Sequence, residues 1–303
     1  MTLPTDASPL DTAWITASGR SGVTGDPSAL FPYWSFTKTV IATCALLLTE
    51  VGAVSLESRP DGAPYTLKHL LGHTAGLPDY GQLPDYHSAV TAGETPWSRA
   101  DMLDRALSLG TLFAPGQGWS YSNIGYMFAR EMIEVASGKP LADLVTELIF
   151  RPLNLRSVIL AQTRDDFAKL HWPAAAAYDP GWVYHSCLTG TARDAACLLH
   201  ALMTGALLSP ASLDAMTEAL PLGGALPGRP WTQCGYGLGL MSGKVGATGR
   251  AIGHSGGGPF CVNAVYHFPD QPDPITVACF TNGTSEGIAE HAATTAARSH
   301  QKL

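Results

Sequence analysis

Charged residues are scarce in this sequence: Asp, Glu, Lys and Arg make up 14% of 303 residues, and the balance is acidic, at -7 with histidines neutral. A surface that tracks phosphate concentrates Lys and Arg, so no nucleic-acid partner is expected. No run approaches the roughly 20 apolar residues of a membrane-spanning helix, and Met1 to Leu10 has neither a basic region nor an apolar stretch of the signal-peptide kind. The expected setting is therefore cytoplasmic, with no membrane partner. Six cysteines include no C-x-x-C pair and lie in apolar surroundings, which points to reduced, buried thiols. Internal repeats and low-complexity linkers are absent as well. The length suits one large domain or two of roughly 150 residues.

What is present falls into three parts. Trp14 to Ser18 reads as a short strand and Arg20 to Asp26 as a Gly-rich turn; Thr39 to Val51 reads as a helix stopped by Gly52. The middle is mostly helical: Tyr65 to His73, Ser98 to Leu109, Ile124 to Ser137, Leu141 to Phe150, Asp194 to Thr204 and Ser212 to Ala219. Past Pro221, short segments rich in β-branched and aromatic residues alternate with Gly and Pro: Gly235 to Met241, Ala251 to Ile252, Phe260 to Phe268 and Ile275 to Thr281. Asp270 to Asp273 marks a hairpin turn between the last two. This pattern predicts a sheet from the C-terminal third, joined by the N-terminal strand and carrying a large helical insertion.

Six places are candidates for chemistry. Ser35 stands three residues before Lys38, so on a helix the two share a face, close enough for the amine to take the hydroxyl's proton; taken alone, the pair equally describes a helix start with a solvated lysine. Tyr121-Ser122-Asn123 reads from the segment alone as the cap of the helix beginning at Ile124, while its functional reading makes Tyr121 a proton shuttle and Asn123 a substrate-binding amide. Gly253 to Gly258 surrounds His254 and Ser255; it is a flexible turn, a loop whose N–H groups approach a ligand, or a G-x-S-x-G nucleophile elbow at Ser255. The elbow needs a buried strand before the serine and a helix after it, and the flanking residues supply neither pattern. His69 and His73 are spaced for one helical face, but the Glu of H-E-x-x-H is missing, so structural roles are expected and no metal site is assigned. Gly235 to Gly239 has no following helix to make a dinucleotide loop, and its glycines suit close approach to another backbone. His185 faces a cleft or caps an aromatic cluster, and the sequence does not choose between them.

In order, S-x-x-K at Ser35, Y-x-N at Tyr121 and H-x-G at His254 resemble the three active-site elements of the serine β-lactamase and penicillin-binding protein superfamily. The chain looks most like its class C β-lactamase-like branch, with carboxylesterases, D-amino-acid amidases and peptidases. YTLKHLLGHTAGLPDY at Tyr65, YSNIGYMFAREMIEVASG at Tyr121, TGTARD at Thr189 and GYGLGL at Gly235 extend the similarity from Phe31 to Thr281. The resemblance implies an α+β fold of the β-lactamase/transpeptidase type, an antiparallel sheet flanked by helices with a large helical insertion. Residues 1–60 and 229–303 would form the sheet domain, residues 61–228 the helical one, and the active site would lie between them.

By the same resemblance, Ser35 is the nucleophile and Lys38 and Tyr121 are the acid/base pair. Asn123 contacts Lys38 and the substrate; His254, Ser255, Gly256 and Gly257 line the substrate site. The backbone N–H groups of Ser35 and Gly257 form the oxyanion hole, with Gly257 on an edge strand. The implied activity is that of a serine hydrolase cleaving a small ester or amide through an acyl-enzyme, without cofactor or metal. A D-amino-acid amidase, peptidase or β-lactamase is the nearest alternative, and an acyl-binding sensor that does not turn over is the alternative from another class. Three departures stand out. His254 replaces the Lys of Lys-Thr-Gly and is largely neutral at pH 7, which disfavours carboxylate-bearing substrates; Ser186-Cys187 replaces a Gly pair; and the N-terminus looks short for the helix and strand that usually flank the sheet, so that either the domain is trimmed or a second subunit of a homo-oligomer covers that face.

Overall fold

The computed structural model describes residues 10–300. Strands β1 (Leu10–Thr16) and β2 (Ser21–Thr24) form a hairpin, and the short β3 (Phe31–Pro32) leads into α1 (Phe36–Glu50). The helical stretch follows as α2 (Leu67–Leu71), α3 (Pro84–Thr91), α4 (Arg99–Leu107), α5 (Asn123–Ser137) and α6 (Leu141–Val145). Next come β4 (Ile159–Ala161), α7 (Arg164–Phe167), β5 (Cys187–Gly190), α8 (Ala192–Met203) and α9 (Pro210–Thr217). The chain returns as β6 (Leu220–Gly223), β7 (Cys234–Tyr236), β8 (Met241–Lys244), β9 (Arg250–Gly257), β10 (Val262–Phe268) and β11 (Ile275–Thr281), and ends in α10 (Glu286–Ser299). The main antiparallel sheet has the order β2-β1-β11-β10-β9-β8-β7-β6, and β3-β5-β4 form a small second sheet. This is the α+β arrangement of an antiparallel sheet flanked by helices.

Every residue of β10 and β11 is buried because the sheet is covered on both faces. On one face Ala289, Ala293 and Ala297, spaced one turn apart along α10, pack with Val262, Ala264, Tyr266 and Val277. On the other, Val265, Ala278 and Phe280 join the larger core with α1 and α8. The face expected to lie open for a second subunit is therefore covered by α10. Among the described residues no helix is long and apolar enough to cross a membrane.

Local expectations were revised in four places. Arg20 to Asp26 is not only a turn: it contains β2, whose Gly22 lies under the Trp14 indole, where an added Cβ would stand 2.9 Å from ring atoms. Strand β1 starts at Leu10 rather than Trp14 and closes on β11 from Leu10↔Thr281 to Thr16↔Ile275. The helix expected over Leu141 to Phe150 changes to a π-turn at Thr146–Phe150. All six cysteines are free, but Cys197 and Cys234 are only partly buried.

Candidate active site

Three elements converge on Ser35. Trp34, held in a left-handed conformation at φ 44°, turns the chain from β3 into α1 and fixes its indole by an N–H donated to Cys261 Sγ at 3.2 Å. Ser35 occupies the N-cap position of α1 yet caps nothing with its side chain, which leaves the hydroxyl to the cleft. One turn on, Lys38 is fully buried, because α1 is packed on nearly all sides. Its Nζ stands 3.2 Å from Ser35 Oγ.

The second element is the start of α5. Ser122 caps that helix by accepting the N–H of Gly125, and its own N–H is held by Nδ1 of buried His73. The capping leaves Tyr121 free for another contact: Ser122 caps the helix, while Tyr121, one residue earlier, donates its hydroxyl to Ser35 Oγ at 2.8 Å. Asn123 does not hydrogen-bond Lys38 as the resemblance implied. Instead its backbone N–H and side-chain amide both bind the carboxylate of Asp79, at 3.0 and 3.1 Å, and His185 takes the place beside the lysine, with Nε2 3.0 Å from Nζ. His69 and His73 are each committed to backbone: Nδ1 of His69 accepts the Thr66 N–H in the capping box of α2.

The third element is β9. Its register with β8 runs only from Lys244↔Arg250 to Met241↔Gly253, so His254 to Gly257 have no partner on that side, while β10 continues to pair on the other. Gly257 thus lies on an edge locally, at the end of an interior strand. Gly256 lies against α1: an added Cβ would stand 2.7 Å from Trp34 Cβ and 2.8 Å from the Ser35 backbone nitrogen. Gly239 makes a similar approach lower on the helix, at φ 73° and with its carbonyl accepting the Thr39 hydroxyl. The strand runs through Ser255 and is followed by β10 rather than a helix, so the strand-turn-helix of a nucleophile elbow is absent. The Ser255 hydroxyl instead donates to Glu286 and accepts from Arg229, whose guanidinium is also held by buried Glu290.

Burial sets the charge states. Lys38 is brought down to about 7 mainly by desolvation, against opposing attraction from Asp79, Cys187 and Glu286. The Tyr121 phenol is pushed well above its usual 10 by burial of its hydroxyl, and neighbouring Tyr236 adds to the shift. His254, whose Nε2 meets the Tyr236 hydroxyl at 3.0 Å, drops to about 3 through desolvation and then the Lys38 charge, so it is neutral at pH 7. His185 is likewise held well below 6.5 by burial first and Lys38 second. The one group at Ser35 poised to exchange a proton near neutrality is the amine.

Two cavities flank Ser35. One, of about 410 Å³, is lined by Trp34, Tyr86, Tyr178 and Val183 with His185 at its wall; the other, of about 690 Å³, by Trp119, Tyr236, Leu226 and Met241. Ser35, Asn123, Gly257 and Glu286 border both. The first-named residues of each sequence motif therefore meet here, and Ser255 lines the larger cavity with them, whereas Gly256 lines neither cavity and packs against Trp34 and Ser35. Asp79 lies inside the TAGLPDY segment without having been singled out, and Glu286 follows no motif.

Comparison with known proteins gives a consistent picture. The Beta-lactamase family model matches residues 6–301. A penicillin-binding protein of Bacillus subtilis (strain 168) is 35% identical over 137 residues, 42% of this chain and 30% of its own length. A D-aminopeptidase of Brucella canis (strain ATCC 23365 / NCTC 10854 / RM-666) is 32% identical over 157 residues, 49% of this chain and 30% of the relative. The matches thus span less than a third of these curated relatives. A D-stereospecific amidohydrolase from Streptomyces sp. has the same fold, with a TM-score of 0.79 at 23% identity over 96% of this chain and 93% of that one.

Proposed function

Because this chain belongs to the Beta-lactamase family, we propose that it is a serine hydrolase that cleaves a small ester or amide through an acyl-enzyme on Ser35. The observation that carries this reading is Ser35 Oγ held between Lys38 Nζ and the Tyr121 hydroxyl, with burial bringing the amine down to about 7. Lys38 takes the Ser35 proton as Oγ attacks the carbonyl carbon. The developing oxyanion faces the backbone N–H groups of Ser35 and Gly257, and the positive end of α1 favours it further. As the tetrahedral intermediate collapses, the bond to the leaving group breaks and Tyr121 passes it a proton that Lys38 replaces. Water then attacks the ester carbonyl, giving its proton to Lys38, and the bond from carbon to Ser35 Oγ breaks as Lys38 returns that proton to Oγ, releasing the acid. Tyr121 acts as a phenol throughout, since its burial opposes a resting phenolate.

Labelling with a fluorophosphonate followed by peptide mapping tests this directly. The expected adduct is on Ser35; an adduct on Ser255, or none on Ser35, would reject the proposal. With a slowly released acyl ester, mass spectrometry over time should show the acyl adduct appear and decay, whereas an adduct that persists supports an acyl-binding sensor.

A narrower reading, hydrolysis of amides that carry a free amine, is favoured by Glu286. Oε2 of its half-buried carboxylate receives Ser255 and Arg229, and Oε1 lies beside Gly257 at the mouth of both cavities. With His254 neutral and Arg229 already offset by Glu290, the cleft carries an excess of negative charge suited to an ammonium group. D-Amino-acid amides fit that chemistry, as the names of the relatives suggest. Glu286→Gln is expected to lower kcat/KM for an amino-acid amide roughly tenfold while leaving its N-acetyl counterpart nearly unchanged, the loss of one charge-assisted contact. An unchanged ratio between the two substrates would remove Glu286 from recognition.

A further inference from the structure

The mechanism above leaves one buried group without a task. His185 is 3% exposed, its Nε2 lies 3.0 Å from Lys38 Nζ, and its Nδ1 has no hydrogen-bond partner among the described residues. It sits immediately before Ser186, which adopts φ 78°, a conformation that favours glycine and is held here by a non-glycine residue. A strained turn thus delivers an imidazole to the amine, which has Ser35 Oγ at 3.2 Å and His185 Nε2 at 3.0 Å.

We infer that His185 is a positioning residue for Lys38, accepting one of its N–H groups so that the lone pair of the neutral amine is directed at Ser35 Oγ. This rests on the reading of Ser35 as nucleophile. Only one tautomer serves. When Lys38 is protonated it has hydrogens alone to offer, so Nε2 must accept and the ring proton resides on Nδ1. If Nε2 carried the proton in the neutral state, it would occupy the lysine lone pair and block proton transfer from Ser35. Asn123 makes no hydrogen bond to Lys38; its side-chain N–H is given to Asp79.

Other groups that set the proton equilibrium of Lys38 are Asp79, Cys187 on β5 and Glu286 on α10, which favour its charged form, and His73, His254, Tyr121 and Tyr126, which stand around it. His185 itself faces Lys38, Arg130, His254 and His73, all of which oppose its protonation. It therefore stays neutral and acts as a hydrogen-bond acceptor rather than as a second charge.

The test compares two variants. In His185→Gln the side-chain oxygen reaches the position of Nε2; in His185→Asn the shorter amide does not. The readout is the pH dependence of the second-order rate of fluorophosphonate labelling of the full chain, with far-UV circular dichroism to verify folding. The wild type should show an acid limb near 7. The Gln variant should keep that limb and lie within about threefold of wild type, whereas Asn should lower the plateau at least tenfold, as expected for a misdirected base. In the Asn variant the limb should also move down by roughly one to two pH units, since the protonated amine loses an acceptor. A lowered plateau with an unmoved limb would reduce His185 to a structural role, and equal behaviour of Gln and Asn, whether both impaired or both normal, would overturn the inference. Failure of the wild type to label at Ser35 would instead reject the nucleophile assignment.

Discussion

Ser35→Ala and Lys38→Met should each lower turnover by roughly four orders of magnitude, and the double variant should lose little more than either alone. In the mechanism proposed, Oγ and Nζ, 3.2 Å apart, act on one proton: without the amine the hydroxyl would stay a poor nucleophile, and without the hydroxyl the amine would have nothing to activate. In the wild type kcat/KM should rise with pH through about 7, because the base is competent only after Lys38 has lost its proton. Tyr121 contributes no descending limb near neutrality, as its phenol is held well above 10. Steady-state kinetics with a nitrophenyl ester, combined with Ser35 adduct formation, checks both parts. Losses that multiply in the double variant, or a Lys38→Met enzyme that keeps the rising limb, would contradict the assignment.

Gly256→Ala is the second change with a large expected effect, although the glycine lines neither cavity. Its backbone torsions tolerate a side chain, but the new Cβ would meet Trp34 Cβ and the Ser35 nitrogen below 3 Å, and neither is the yielding tip of a flexible chain. Strand β9 must then move away from the start of α1. The separation between the Ser35 and Gly257 N–H groups widens, and losing one oxyanion donor lowers kcat by roughly 10²–10³-fold. Overpacking of this kind also destabilises by about 1–3 kcal/mol. Gly257→Ala, whose Cβ would make only ordinary contacts with Glu286 and Val262 from 3.4 Å, should be far milder. The comparison of kcat for the two variants decides the matter; a Gly256→Ala enzyme at wild-type rate would show that β9 has room to give.

The parts of this molecule legible from the residues are those whose signal is local. Ser35 and Lys38 are one helical turn apart, Tyr121 precedes an amphipathic helix with a visible cap, and Val262 to Phe268 and Ile275 to Thr281 have the composition of buried strands. What was not legible depends on partners distant along the chain. His185 meets Lys38 and Asn123 meets Asp79 only after folding, so no spacing records either contact. Helix α10 went unread because its buried face is Ala289, Ala293 and Ala297, too small to give a strong apolar period. Gly253 to Gly258 suggests a turn by composition, yet most of it is strand: Gly256 and Gly258 are needed for clearance under Trp34 rather than for bending.

Burial of Lys38 also bears on how firmly the chain folds. Burial in the folded chain brings the lysine down from its usual 10.5 to about 7. Between those values the unfolded chain binds more protons, so the lysine's contribution to folding stability declines as pH falls from about 10.5 to about 7 and is constant below that. A shift of this size corresponds to a few kcal/mol, a large share of the net stability of a typical domain. Lys38→Met, close in volume and free of that proton equilibrium, should therefore melt at a higher temperature than the wild type at pH 7, with the difference shrinking as pH approaches 10. An inactive enzyme that is harder to unfold would mark the site as a place where the fold tolerates instability so that an amine can be a base at neutral pH.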